Sequence, residues 1–431
     1  KTNPAKIRKN KKMLRRANMS TLLKNVHVLP MQREIVLKER DVLIESGRIM
    51  RIGQNLDIPG ATPFDGSGKY LLPGFFDMHA HIISTDMFPL FLVNGVTSVR
   101  NLWGFPRILE WAQEVERGER VGPSIYSTSA LVDGVETWVG AEIVKTPEEA
   151  EAAVRRALAQ GYRQIKTYPD IPREAYFRIM ALARQYGLQV VGHANRNVRI
   201  DELIASGYHT IEHASVLPAN DDEVIKLALA GVWHVPTTVI VRALREYGRD
   251  GKPLSDCPYY AYVNANERKD WQGIIDTMKA IPRFKDFDDE AAVRRSRLFA
   301  ETSECVLVGT DQANPGVVAG FSYLDELVLM VRDLGLTPYQ VLQKATVRAA
   351  EYLEIADRVG SVEEGKQSDL LLVDANPLED IANGRKLSAV IKAGVMYERS
   401  RLDAMLEEVR SMQVADIEFV GENTINPVEK R

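Results

Sequence analysis

Cysteine is nearly missing: Cys257 and Cys305 are the whole complement of 431 residues. That excludes a disulfide-stapled scaffold and any zinc module built on thiolates. Long hydrophobic runs are missing too. Apolar stretches such as Phe88 to Val93 are far too short to cross a bilayer, so no membrane span is expected. Nor does the chain carry a large charge of one sign, its formal net charge being -4. That small value hides an uneven distribution. Eight of the 55 basic residues fall in residues 1–16, where no acid occurs, so the rest of the chain sets 47 basic residues against 59 acidic ones. An acidic body argues against nucleic acid as a partner. The basic leader, residues 1–19, has no interleaved aromatics and reads as a solvated tail. What remains is an ordinary globular balance, 45% hydrophobic and 26% charged, at a length that suits one large domain and a smaller one.

The chain changes character twice. Residues 20–73 read as short strands between turn residues, including Lys24 to Val28, Asp41 to Ile44 and Arg48 to Ile52. From residue 74 to about 356, apolar strands alternate with amphipathic helices. One such helix opens at Thr146-Pro147-Glu148-Glu149 and stops at Gly161; a later one runs from Pro338 to Tyr352. The fold class is α/β, and about eight such units suit a closed (β/α)8 TIM barrel over residues 74–356. Strand character returns at Asp369 to Val373 and Ala389 to Ile391. Residues 20–73 and 357–400 are expected to form one small β-sandwich-like domain built from both chain ends. Residues 401–431 read as a C-terminal tail, and residues 241–287 as an insertion at the catalytic rim, either a lid or a surface excursion.

His79 and His81 lie two residues apart in Phe75 to His81, so an extended strand turns both imidazoles the same way. Such a pair is weak evidence for a metal by itself. Four further residues strengthen it: Lys166, His193, His213 and Asp311 each end a separate apolar strand. The carboxyl ends of barrel strands are where active-site groups converge.

These segments resemble the metal-dependent amidohydrolase superfamily, and more closely its imidazolonepropionase-like and Xaa-Pro dipeptidase (prolidase) branch. The resemblance rests on Leu72 to His81, Asn94 to Arg100, Val191 to Ala194, Ile211-Glu212-His213, Gly309-Thr310-Asp311, Gly365 to Leu370 and Asp374 to Leu378. It covers about residues 20–400. It implies two divalent ions, with zinc expected although His and carboxylate ligands also suit manganese, cobalt and iron. His79, His81 and Asp311 would hold one ion, and His193 and His213 the other. Lys166 would react with carbon dioxide to give a carbamate that bridges them, since an unmodified ammonium cannot ligate a cation. The implied reaction is hydrolysis of an amide C–N bond by a metal-bridging hydroxide, with Asp311 moving the proton.

Other residues keep two readings. Tyr168 either donates to the developing oxyanion or is an ordinary rim aromatic. His234, near a strand end, is a candidate substrate contact between packing residues Val235 and Pro236. His27 and His209 read as structural. Asn101 stands after Arg100 where an acid is common, which puts an ion pair there in doubt. The preferred substrate is an N-acyl amino acid or a dipeptide such as Xaa-Pro. The alternatives are aromatic amides, carbamates or ureas of xenobiotic or mycotoxin type and, from another class, a non-catalytic barrel scaffold. Deaminase chemistry fits less well, because mononuclear deaminases use no bridging lysine. The partner is a small-molecule amide or peptide, with a homo-oligomer expected. A cytoplasmic location is expected, or export if a signal was removed before Lys1.

Overall fold

The fold comes from a computed structural model, which describes residues 20–136, 140–280 and 288–420. The basic leader, residues 1–19, and residues 421–431 of the tail lie outside the described residues. The first strands in chain order are β1 (Ser20–Val28), β2 (Leu37–Glu45), β3 (Arg48–Gly53), β4 (Thr62–Asp65) and β5 (Tyr70–Pro73). Next come β6 (Phe75–Ala80), β7 (Val96–Asn101), β8 (Ser124–Ser127), β9 (Leu131–Asp133) and β10 (Glu142–Ile143). Then follow β11 (Gln164–Thr167), β12 (Gln189–Gly192), β13 (Thr210–Glu212) and β14 (Trp233–Val235). The last are β15 (Leu370–Val373), β16 (Leu387–Lys392) and β17 (Val395–Glu398).

Hydrogen bonding joins β17-β16-β15-β5-β1-β2-β3, with β4 beside β1, into one eight-stranded sheet rather than two separate stacked ones. Its β-branched and leucine residues alternate inward, so Leu23, Val26, Val42, Ile44, Leu370 and Leu372 share a core. The early and late parts of the chain meet where β5 pairs antiparallel with β15.

Parallel βα units make up the rest. A capping box between Thr146 and Glu149 starts the helix Pro147–Ala159, and left-handed Gly187 ends the helix Arg173–Tyr186. The expected closed barrel is a correction, because its strands divide into β6-β7-β8 and β10-β9-β11-β12-β13-β14. Between β8 and β9 the chain crosses from one sheet to the other, Thr128 N–H bonding Asn101 O at 2.9 Å on β7 and Ser129 N–H bonding Gln164 O at 2.8 Å on β11. Between β14 and β6, the expected strand Val306 to Val308 contributes a single bridge, Val306 to His234. Gly309 then runs so close to β6 that a Cβ there would meet the His79 nitrogen at 2.7 Å. Backbone bonds still link this segment to both sides: Leu307 N–H to His234 O at 2.9 Å and Met78 N–H to Val308 O at 2.8 Å.

Two other expectations change. The helix read from Pro338 to Tyr352 is two helices, Pro338–Lys344 and Val347–Tyr352, broken at Thr346, whose hydroxyl bonds Leu342 O. Residues 399–411 form a helix that buries Leu402, Met405 and Val409. Beyond it, Val420 N–H bonds Ile83 O and Thr85 N–H bonds Glu418 O, laying the chain against the loop that follows His81. The described part of the insertion carries the helix Ala265–Ala280, and Trp271 Nε1 donates to Ala313 O at 3.0 Å, two residues past Asp311. Among the described residues no helix is long and apolar enough to cross a membrane.

Candidate metal centre

Strand β6 delivers His79 fully buried and leaves His81 partly buried just past its end. Asp311 arrives from the irregular segment beside it with φ 60, and His213 follows β13 with φ 67. Both are non-glycine residues in the left-handed region, a strain that folds keep where it aims a side chain. His193 follows Gly192, whose φ of 128 and close approach to Thr167 O leave no room for a Cβ.

These residues converge. Asp311 Oδ1 lies 2.8 Å from His81 Nε2 and 3.2 Å from His79 Nε2. The three side chains offer ligand atoms within 4.8 Å of one another. The rings continue the cluster, His79 to His213 at 4.5 Å and His213 to His193 at 5.1 Å between centroids. Tyr168 stacks on His193 at 4.1 Å and 16°, and Lys166 Nζ lies 5.7 Å from the Tyr168 ring centre. All six sequence-predicted ligands therefore face one region, with Tyr168 at its edge. His234 is not brought there. Its Nδ1 meets Ile211 O at 3.0 Å and its Nε2 meets Ser296 Oγ at 2.9 Å, so both ring nitrogens are already occupied.

Electrostatics favour ligation. Burial lowers the His193 imidazole well below its ordinary value and the His213 imidazole to about 3, while His81 is also lowered. Neutral imidazoles keep a lone pair for an ion. Burial would raise the Asp311 carboxyl, but the histidines around it, with His81 Nε2 at 2.8 Å, hold it well below its ordinary value. Burial brings the Lys166 ammonium down to about 8. Three buried ring nitrogens, His79 Nε2, His81 Nδ1 and His193 Nε2, lack a hydrogen-bond partner, His79 Nε2 being near Asp311 but poorly aligned. Orphaned buried nitrogens beside a carboxylate fit a divalent cation.

The sequence reading missed Glu212, which meets His79 Nδ1 at 2.8 Å and Arg100 at 2.7 Å. It adjoins His213 in sequence, so an acid next to a candidate ligand was the available signal. Asn101 proves to be a brace: its Oδ1 accepts from Ile82 N–H at 2.9 Å and its amide donates to Trp103 O.

The sequence pattern of the Amidohydrolase family matches residues 91–397. The chain belongs to the amidohydrolase family. Members of that family are hydrolases. The chain is 23% identical to the adenine deaminase of Ligilactobacillus salivarius over 85% of its own length, and spans 56% of that relative. It is 23% identical to the ochratoxinase of Aspergillus niger, covering 87% of this chain and 86% of the other. Among solved structures, a putative prolidase from Bifidobacterium longum superposes with TM-score 0.70 at 24% identity, covering 91% of this chain and 99% of that one. A bottromycin amidohydrolase superposes with TM-score 0.74 at 24% identity, covering 99% and 97%. At such identities the structural likeness establishes the fold, which includes the prolidases among its neighbours.

Proposed function

We propose that this amidohydrolase cleaves the C–N bond of an N-acyl amino acid or a dipeptide such as Xaa-Pro. Residues 74–356 are the proposed catalytic unit, packed against a β domain of residues 20–73 and 357–400. His79, His81 and Asp311 would hold one divalent ion, His193 and His213 a second, with zinc the proposed metal. When bound, the ions supply Lewis acidity that polarises the scissile carbonyl and acidifies water. The observation that carries the reading is the convergence of His79 and His81 on Asp311, with the His213 and His193 rings beside them, unpartnered ring nitrogens among them and a buried Lys166 at the same place.

The chain's own groups have separable tasks. Lys166, its ammonium brought down toward neutrality by burial, presents a free amine to carbon dioxide. A C–N bond forms to Nζ, one proton leaves, and the resulting carbamate offers two oxygens. Asp311, held anionic, accepts a proton from the attacking water and returns it to the departing nitrogen. His81, 2.8 Å away, orients that carboxylate. Tyr168, stacked on His193, is the proposed donor to the oxyanion. His234, with both nitrogens engaged, acts through packing instead.

Hydrolysis of aromatic amides is the second reading, favoured by the ochratoxinase likeness, which covers most of both chains. The adenine deaminase match covers little more than half of that relative. A screen of dipeptides, N-acyl amino acids and aryl amides, run with metal-replete protein and elemental analysis, separates these. Turnover of the first two classes with about two ions per chain supports the proposal. Turnover of aryl amides alone moves the assignment to the second reading. No ion taken up and no turnover would leave the non-catalytic scaffold. Light scattering tests the accompanying proposal of a homo-oligomer.

A further inference from the structure

Beneath the candidate metal centre, the interior between the strands is polar where parallel barrels ordinarily pack branched apolar side chains. Arg100 on β7 is fully buried. It donates through Nη2 to Glu212 Oε1 at 2.7 Å, through Nη1 to Met78 O at 3.1 Å and through Nε to Gln164 Oε1 at 2.9 Å. Its guanidinium lies 4.9 Å from the centre of the Tyr352 ring. Gln164, with its oxygen committed to Arg100, donates its amide to Gln189 Oε1 at 2.5 Å and to Tyr352 OH at 3.2 Å. Glu212, also fully buried, spans from Arg100 to His79 Nδ1 at 2.8 Å.

Each link has a fixed direction. Arginine has donors only and stays charged, while an ionised carboxylate has acceptors only. Glu212 therefore accepts from both sides, and the proton between it and His79 sits on Nδ1. The lone pair of His79 is left on Nε2, the nitrogen facing Asp311 at 3.2 Å. His213 offers a contrast. Its Nδ1 meets the Thr237 hydroxyl at 2.9 Å, and a hydroxyl either donates or accepts. We infer that the Arg100–Glu212 pair is a one-way hydrogen-bond relay that selects the Nδ1–H tautomer of His79 and so reserves Nε2 for an ion. Arg100 and Glu212 are positioning residues, acting through His79. A buried ion pair adds little net stability over apolar packing, so tautomer selection gives the pair a purpose that stability does not. The ion belongs to the proposed function; the tautomer is read without it.

The test is nitrogen-15 NMR of the histidine rings in metal-free full-length protein at neutral pH, with His79 assigned by its loss in His79→Asn. The expected wild-type form is Nδ1–H; an Nε2–H form overturns the inference without any further variant. Glu212→Gln keeps the shape, but Arg100 still demands the amide oxygen, so the Gln NH2 faces Nδ1 and should force Nε2–H. Zinc affinity, read by chelator competition, should then fall on the order of 10- to 100-fold, the usual effect of removing a partner that orients a metal ligand. Unchanged affinity with an unchanged tautomer in Glu212→Gln overturns the inference. A wild-type protein that binds no zinc yet shows Nδ1–H would defeat the metal reading and leave the relay standing.

Discussion

The two halves of the candidate centre are built differently. His79, His81 and Asp311 are held by directional hydrogen bonds, from Glu212 on one side and within the trio on the other. His193, His213 and Lys166 are held by ring stacking, one reversible hydroxyl contact and burial. The first half brings its ligand atoms within 4.8 Å of one another, whereas Lys166 Nζ faces an aromatic ring. Charge-fixed contacts pre-form a site; aromatic and apolar contacts leave one that a further group must complete. The carbamate on Lys166 is the group the proposed function supplies.

Breaking the second half should have the largest effect. Lys166→Ala is expected to reduce turnover to background and metal content from about two ions to one. A short carboxylic acid added to the variant should restore part of the rate. Wild-type turnover in Lys166→Ala, measured with metal content, would falsify the bridging role. Next comes the junction of the halves. Asp311→Asn should lower turnover on the order of 10²–10⁴, the range for a lost acid–base group, with melting near wild type. Full recovery in excess metal would reduce Asp311 to a ligand alone.

Acid sharpens the contrast through protons. His213 falls to about 3 and His234 to about 4, both through burial. Their folded-state values lie below the unfolded value of about 6.5, so the unfolded chain binds protons first. Stability of the metal-free protein should therefore be complete above about 6.5 and fall as pH drops through the window down to 3–4. For fully buried His234 the loss is on the order of 3 kcal/mol, from about 1.4 kcal/mol per pKa unit. Urea unfolding across that window checks it, with His234→Gln expected to flatten the slope; an identical slope in the variant rules it out. Tyr168 should give the smallest change. Tyr168→Phe keeps the stack on His193 and is expected to cost on the order of 10² in kcat, the lower end for loss of one oxyanion donor. Tyr168→Leu should cost more than Tyr168→Phe and also weaken the second ion. Equal effects would mean that the stack contributes nothing.

Where side chains follow strand parity, the sequence indicated which residues would lie together. His79 and His81 share the end of one strand, Lys166, His193, His213 and Asp311 end four other segments, and the structure brings the six to one region. The parallel βα series was legible from helix boundaries such as Thr146-Pro147-Glu148-Glu149 and Gly161, which bracket the helix Pro147–Ala159. Closure was not. Where the chain crosses from β8 to β9, Thr128 bonds one sheet and Ser129 the other, a change of partner that no periodicity encodes. His234 shares the strand-end signal yet is drawn to Ser296 by a helix distant in sequence. Glu212 and Arg100 were visible as charges on short buried strands, but their pairing spans 112 positions. The helix Arg399–Ser411 shows its buried stripe of Leu402, Met405 and Val409 in the sequence; heavy charge around it masked the pattern.

The strands of the centre are also ordered in time. His81 and Asp311 are separated by 230 positions, and the loop after His81 is fastened by residues 418–420. During synthesis the His79–His81 pair leaves the ribosome long before its carboxylate partner exists. Two imidazoles alone hold a transition metal weakly and with little discrimination. On the proposed function, selection of the metal would therefore belong to the nearly finished polypeptide, in which Asp311 completes the group with His79 and His81.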